Sequence, residues 1–311
     1  MKGVRKAVLP VAGLGTRILP AAKTTPKNML NLFDRPILAH VVAEARAAGI
    51  EHIVLVVGRG QAAVEDYFDH AYELESELAA KGKTALGDLV RADLGPPGAI
   101  SVVRQMAPLG LGHAIWCARD IIGDEPFAIM LPDMVMDAAP AALAQVLAAY
   151  EAVGGNVVAV EPAPAGEAHK YGIVALGEKA PGFDGRLAAM TGMVEKPPPG
   201  TEPSNLFISG RYILQPRIFT LLSDQAAGAG GEIQLTDAMV RLMRDSPFHA
   251  LRYAGTTYDC GDVLGLLKAN AAFALKDPVH GAAARTILGE ALAASGVDED
   301  TIRPARETRR G

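Results

Sequence analysis

Cysteine is nearly absent from this chain of 311 residues; the two present, Cys117 and Cys260, are far apart. They supply neither a disulfide framework nor the ligand set of a structural zinc site. Cys117 sits in an apolar helical stretch and reads as a small core residue. There is no basic excess either: 30 Lys and Arg stand against 35 Asp and Glu, a formal net charge of -5. That excludes a dedicated nucleic-acid binder, whose phosphate contacts need clustered cations. No apolar run is long enough to span a bilayer. The N-terminal Met1-Lys2-Gly3-Val4-Arg5-Lys6 and the apolar residues after it have the outline of a signal peptide. A small-x-small cleavage site is missing, so a buried first strand and a cytoplasmic protein are expected. Internal repeats are also missing. Glycine (33) and proline (21) are frequent but not periodic, which excludes collagen-like and low-complexity classes.

What is present is 50% hydrophobic residues with only 5% aromatic, in a chain long enough for an independent core. Residues 6–11 form a continuous apolar run ending in a Gly-rich turn, the pattern of a buried parallel strand. Residues 36–48 have helical periodicity and stop at Gly49, a C-terminal cap. The spacing then predicts a strand at 53–57, a long charged helix at 61–80 and an irregular connection over 81–98. A strand at 100–104, a helix at 111–122, a strand at 127–131, a helix at 141–152 and a strand at 157–160 complete the first half. This β-α-β-α order predicts an α/β fold, a mostly parallel sheet with helices on both faces. Beyond residue 161 the pattern loosens into an α+β extension. Strands are predicted at 172–176, 187–194, 206–214 and 250–254, with helices at 216–222, 233–244 and 263–276. From 277 a short helix leads into a charged tail, where residues 303–310 hold four Arg against one Glu. The tail reads as a frayed terminus rather than a phosphate or partner contact.

The first strand runs into Gly13-Leu14-Gly15-Thr16-Arg17. A sharp turn after a strand presents N–H groups to phosphate, and glycine allows close approach. Both common nucleotide motifs fail nonetheless. The dinucleotide fingerprint would need glycine where Ile18 stands, and a P-loop ending in Gly82-Lys83-Thr84 would need one where Glu77 stands. Arg17 is followed by Lys27 in Thr25-Pro26-Lys27-Asn28-Met29-Leu30, and two cations near one glycine turn suit a triphosphate. Asp133 ends an apolar run at the carboxyl end of a predicted parallel strand, where open α/β sheets place ligands. Val135 stands where an Asp-x-Asp motif would have its second aspartate.

The glycine turn with Arg17, and Pro26-Lys27, resemble the signature of the sugar-1-phosphate nucleotidylyltransferases. The resemblance covers residues 6 to about 276 and is closest to the bacterial UTP–glucose-1-phosphate uridylyltransferases. Pro20-Ala21-Ala22-Lys23, Val103-Arg104-Gln105, Gly110-Leu111-Gly112-His113-Ala114, Gly123-Asp124-Glu125-Pro126 and residues 230–238 follow the family's order. It implies a Rossmann-like nucleotidyltransferase sheet over residues 1–276. Residues 1–160 would form the nucleotide-binding half, 161–276 the sugar-phosphate-binding half, and 277–311 a C-terminal helix and tail. It also implies that Ala12, Gly13, Leu14, Gly15 and Arg17 bind the triphosphate with Lys27 beside them. Gln105 and Gly110 would read the pyrimidine base, a side-chain amide being able both to donate and to accept. Asp133 would bind Mg2+, and Asp259 in Tyr258-Asp259-Cys260-Gly261-Asp262 would be the second metal-side carboxylate. An aspartate before glycine is otherwise a turn residue. Gly172, Glu195, Lys196, Asn205, Gly210 and Glu232 fall in the family's sugar-phosphate segments, with Lys196 on the acceptor phosphate. One departure is Asn28, where many relatives have Glu; a charge is lost near Lys27.

The implied reaction joins UTP and glucose 1-phosphate into UDP-glucose and pyrophosphate by in-line attack on the α-phosphorus. The attacking phosphate is already an anion, so no general base is needed, and the seven histidines form no catalytic constellation. Arg17, Lys27 and Lys196 with Mg2+ would act by positioning and charge neutralisation. Two alternatives stay open on the residues: the same chemistry with another nucleotide or sugar 1-phosphate, such as dTTP, and a catalytically silent nucleotide-sugar-binding regulator. The substrates are small molecules; neither nucleic acid nor membrane is expected as a partner. The helical C-terminal segment suggests a homodimer or homotetramer.

Overall fold

In a computed structural model, which describes residues 3–224, 228 and 231–296, the first apolar run becomes β1 (Lys6–Pro10). A short hairpin, β2 (Asn31–Leu32) and β3 (Arg35–Pro36), leads into α1 (Ile37–Ala47) and β4 (His52–Val57). Then follow α2 (Ala62–Tyr67), α3 (Tyr72–Ala80), α4 (Thr84–Arg91), β5 (Ile100–Arg104), α5 (Leu111–Cys117) and α6 (Arg119–Ile122). The first half ends with β6 (Phe127–Met130), β7 (Met134–Asp137), α7 (Ala142–Val153) and β8 (Asn156–Pro162). The second half adds β9 (Gly172–Lys179), β10 (Leu187–Glu195), β11 (Leu206–Leu214), α8 (Arg217–Ser223) and α9 (Leu235–Leu242). It closes with β12 (Phe248–Arg252), β13 (Thr256–Asp259), α10 (Val263–Lys276) and α11 (Gly281–Ala294). The basic tail at 303–310, and Gly230 of the 230–238 segment, lie outside the described residues.

One sheet has the strand order β5-β4-β1-β6-β11-β8-β12-β10-β9. β5, β4, β1 and β6 run parallel, as the first half of the sequence predicts. β11 enters antiparallel between β6 and β8, β12 lies parallel to β8, and β10 runs antiparallel to β12 and β9. The α+β extension therefore joins the same sheet, which as a whole is mixed. Alternate residues of β1 face opposite cores: Ala7 and Leu9 pack with α1 and α7, Val8 with α5, α8 and α9. A strand covered on both faces must be apolar at every interior position, hence the unbroken run. After β1 the chain builds β4 and β5 on one side and returns to place β6 on the other. The carboxyl ends of β1 and β6 flank that reversal, where a crevice opens in such sheets.

Four local expectations are corrected. The helix expected over 61–80 is two helices, α2 and α3, separated where the Asp69 carboxylate accepts the His70 N–H at 2.7 Å. That side-chain bond competes with helical pairing. The connection expected at 81–98 contains α4, with Arg91 bonded to Asp88 on its own helix and to Glu75 on α3. The helix expected at 111–122 breaks at Ala118 into α5 and α6. Cys117 is half-buried, not core. Among the described residues no helix is long and apolar enough to cross a membrane.

Candidate active site

Beyond β1 the Val11 carbonyl accepts from Gln61 Nε2 at 2.9 Å and from Asn28 Nδ2 at 3.4 Å, which anchors the turn that follows. Gly15 then takes φ 66° before the 3-10 turn Thr16–Ile18. A Cβ at Gly15 would lie 3.0 Å from both the Ala22 and Lys27 Cβ atoms. Only glycine satisfies both that backbone angle and that spacing, and so the turn folds directly onto the segment bearing Lys27. Asn28 is buried under the turn and donates to the Val11 carbonyl, whereas the Lys27 ammonium bonds Asp133. The departure from the family pattern thus changes the support of the turn more than its cations.

Lys27 Nζ reaches Asp133 Oδ2 at 2.5 Å, and Arg17 bonds Asp259 Oδ2 at 3.2 Å with Asp133 Oδ2 at 4.0 Å. The two aspartates meet because β13 pairs antiparallel with β7, Asp259 opposite Met134, and the Cys260 N–H donates to the Asp133 carbonyl at 2.7 Å. Asp259 Oδ1 accepts the Gly261 N–H at 2.8 Å, so this residue both makes its turn and offers a carboxylate to the site. One point beside Gly261, where a Cβ would stand, is 2.5 Å from the Arg17 guanidinium, 2.9 Å from Asp259 Oδ1 and 3.0 Å from Asp133 Oδ2. Two carboxylates this close are oxygen donors of the kind a hard divalent cation takes, and here they are paired with Arg17 and Lys27. Burial lowers the Arg17 pKa, but the Asp259 charge and hydrogen bond, with Asp133 and Asp262, outweigh it and raise it overall. Burial and the surrounding aspartates push the neighbouring Cys260 thiol up to about 12, so it stays protonated at neutral pH.

A cleft of about 410 Å³ runs from these charges along the glycine turn. Ala12, Gly13, Leu14, Gly15, Lys27, Gln105, Gly110, Asp133 and Glu232 all line it. Gln105, extending from β5, donates its Nε2 hydrogens to the Gly110 carbonyl and to His113 Nδ1, both at 3.1 Å. Burial lowers the His113 pKa from its ordinary 6.5, which keeps the ring neutral and Nδ1 an acceptor. With its amide nitrogen committed inward, Gln105 has Oε1 left for a ligand. Gly110, at φ 101°, lets the loop before α5 abut Glu232 and Ile233; a Cβ there would be 2.8 Å from Glu232 Cβ.

The sugar-side residues divide. Glu195 Oε2 accepts from Thr236 Oγ1 at 2.7 Å, and a Cβ at Gly172 would come within 3.0 Å of the same oxygen. Lys196 follows with φ 47°, its N–H bonded to the Tyr171 carbonyl at 2.9 Å. Burial and then the charges of Asp259 and Glu167 raise the Tyr171 pKa, which Arg17 partly offsets. Through Tyr171 the Lys196 segment thus lies within electrostatic reach of Asp259 and Arg17. Gly210 packs against Leu131 and Met134, on either side of Asp133. Glu232 stands in the wall of the cleft, directly against Gly110. Asn205 does not line the cleft; it borders a separate hollow with Ala163 and Ser204, and its carbonyl accepts the Ala163 N–H.

The sequence pattern assigns no role to Thr236 or Arg211 and gives His113 only a helix-start or nucleotide-neighbouring one, although all three lie in segments that resemble the family. Thr236 and His113 act through the orientation of Glu195 and Gln105, which no local pattern encodes. Arg211 carried one usable signal, a charge inside the apolar run of β11, and it is fully buried.

The parallel half of the sheet opens at its reversal point, where cations on a glycine turn face two carboxylates, an arrangement suited to handling phosphate. The family model described as "Nucleotidyl transferase" matches residues 6–275. A UTP--glucose-1-phosphate uridylyltransferase of Bacillus subtilis (strain 168) is 45% identical over 279 residues, 89% of this chain and 93% of that protein. The solved structure titled "UTP-bound UGPase from acinetobacter baumannii" superposes with a TM-score of 0.84 at 40% identity, covering 92% of this chain and 99% of that one. A UDP-glucose pyrophosphorylase complexed with UDP-glucose superposes with a TM-score of 0.78 at 36% identity, covering 88% and 100%. The chain belongs to the nucleotidyl transferase family and, within it, to the UTP–glucose-1-phosphate uridylyltransferases.

Proposed function

We propose that this protein transfers the uridylyl group of UTP to glucose 1-phosphate, releasing pyrophosphate. The observation that carries the reading is the meeting of Arg17, Lys27, Asp133 and Asp259 at one end of the cleft that holds Gln105. Residues 1–160 hold the nucleotide and 161–276 the sugar phosphate. The phosphate oxygen of glucose 1-phosphate bonds to the α-phosphorus as the bond to the pyrophosphate oxygen breaks. No proton need move. Glu195, held by Thr236, accepts hydrogen bonds from sugar hydroxyls, and Lys196 steadies the attacking phosphate. Arg17 and Lys27 balance the charge of the leaving pyrophosphate. Asp133 and Asp259 would hold a divalent cation, Mg2+ in this reading, which supplies positive charge at the transferring phosphoryl group.

The test is release of pyrophosphate from UTP, glucose 1-phosphate and Mg2+, with UDP-glucose identified as co-product. If none is released, a silent nucleotide-sugar binder is the better reading, and equal turnover of dTTP would make the base and ribose selectivity broader. The two free thiols support a reducing compartment, the cytoplasm. Exposed Leu264 and Leu267 on α10 and Ile287 on α11 support association of copies of this chain.

The orientation of Gln105 supports a further expectation. Its free Oε1 accepts the N3–H of uracil, whereas N3 of cytosine offers a lone pair. CTP should therefore be turned over with kcat/KM lower by roughly 10³-fold or more. The same bond needs neutral His113. Because the His113 pKa lies below 6.5, KM for UTP is flat above that value and rises as pH falls through the shifted pKa. There Nδ1 gains a proton and can no longer accept from the amide. In His113→Asn, whose side-chain oxygen can accept at every pH, the ratio of variant to wild-type KM should fall in acid, where the ionisation of UTP itself cancels. A constant ratio from pH 8 to 5 would remove His113 from base recognition.

A further inference from the structure

Arg211 is the one charged residue among the fully buried side chains of the described residues. It lies on β11 opposite Met130 of β6. Its guanidinium makes a two-pronged bond to Glu44 on α1, Nε to Oε1 at 3.1 Å and NH2 to Oε2 at 2.7 Å. Further donations go to backbone: NH1 to the Leu131 carbonyl at 3.1 Å and NH2 to the Met134 carbonyl at 2.9 Å. Those two carbonyls bracket Pro132 and Asp133 in a turn that the Met134 N–H closes onto Leu131. Burying an ion pair removes two charges from water, and apolar residues of similar volume often serve stability as well or better. A planar fork that reaches two carbonyls and a carboxylate together has another use, since no apolar residue and no lysine can reproduce it.

We infer that Arg211, held by Glu44, is a positioning residue that fixes the Asp133 turn so that the carboxylate meets Asp259, Lys27 and the metal. The inference rests on the proposed role of Asp133 at the metal. Arg211 secures both ends of the turn from below, and the Cys260 N–H secures the Asp133 carbonyl from the side. Only side-chain rotation is then left to the carboxylate. Reacting groups displaced by about 1 Å lose on the order of 10²-fold in rate.

The test is a double-mutant cycle between Arg211→Lys and Asp133→Asn, followed by kcat and by Mn2+ affinity from electron paramagnetic resonance in the presence of UTP. Arg211→Lys alone is expected to lower kcat by roughly 30- to 100-fold and to weaken Mn2+ about tenfold, with metal-free UTP binding within about twofold of wild type. In the Asp133→Asn background it should change neither quantity by more than about threefold. A full additional fall in that background overturns the inference and leaves Arg211 as part of the general fold. An Asp133→Asn protein with wild-type rate and Mn2+ affinity is a different result: it removes the metal reading itself, and the inference with it. Glu44→Gln keeps the side-chain shape and loosens the clamp from the other side. It carries the same cycle if Arg211→Lys does not yield folded protein.

Discussion

Asp133→Asn is expected to lower kcat about 10³-fold, about 4 kcal/mol at 1.36 kcal/mol per decade. Asparagine matches aspartate in shape, so the loss isolates the charge. In the wild-type protein the carboxylate accepts from Lys27 at 2.5 Å and faces Arg17 at 4.0 Å. With Asp259 it converges on the point beside Gly261. A preorganised group aimed at developing charge is worth about 10² to 10³ in rate, and loss of metal at the same site adds to that. Neutralising Asp133 also leaves Lys27, at 17% exposure, without its counter-charge. Breaking a fully buried pair costs about 3–5 kcal/mol, so a smaller fall in stability is expected here, well short of unfolding. Raised Mg2+ should not restore the rate. Steady-state kinetics beside thermal unfolding decide the matter: a rate within tenfold of wild type at unchanged Mg2+ dependence would remove Asp133 from the metal.

Lys196→Ala is expected to lower kcat by about two to three decades, the scale of one lost electrostatic group, with KM for UTP unchanged because the amine serves the acceptor and not the nucleotide. Lys196 is exposed, and its ammonium bonds none of the described residues. Its backbone holds φ 47° immediately before Pro197, a conformation that glycine adopts readily and other residues only at a cost of about 1–2 kcal/mol. The Gly variant at 196 should therefore be as inactive as the Ala variant but more stable by about 1 kcal/mol, measured by denaturant unfolding. The pair separates the amine from the backbone. Near-normal turnover in either would end the assignment of Lys196 to the acceptor phosphate, and equal stability would show that the turn relaxes once the lysine is gone.

Much of the cleft proposed for the nucleotide was legible in the sequence because local chemistry shapes it. An apolar run followed by Gly13-x-Gly15 is a buried strand ending in a turn, and Lys27 sits close enough in the chain to return to it. The carboxyl end of β6 announced Asp133 in the same way. The breaks between α2 and α3 and between α5 and α6 were hidden, since periodicity continues across both. The amide orientation of Gln105 was hidden too, because it depends on His113 in the first turn of α5.

Charge and composition by themselves determined that this chain carries no net basic excess, so that phosphate is expected to be met by a few placed cations. Order of elements determined the parallel half of the sheet and the end of it at which ligands gather, since strands buried on both faces and joined by helices have little other choice. The meeting of Asp133 with Asp259 was decided only in three dimensions. β7 and β13 are four-residue strands with no signal of their own, and each exists because it pairs with the other across more than a hundred residues. The clamp of Arg211 on the Asp133 turn likewise required β11 to insert beside β6 and α1 to offer Glu44 from beneath. Such contacts depend on where distant segments come to rest, which is set by the packing of the whole sheet and not by the preferences of any short stretch.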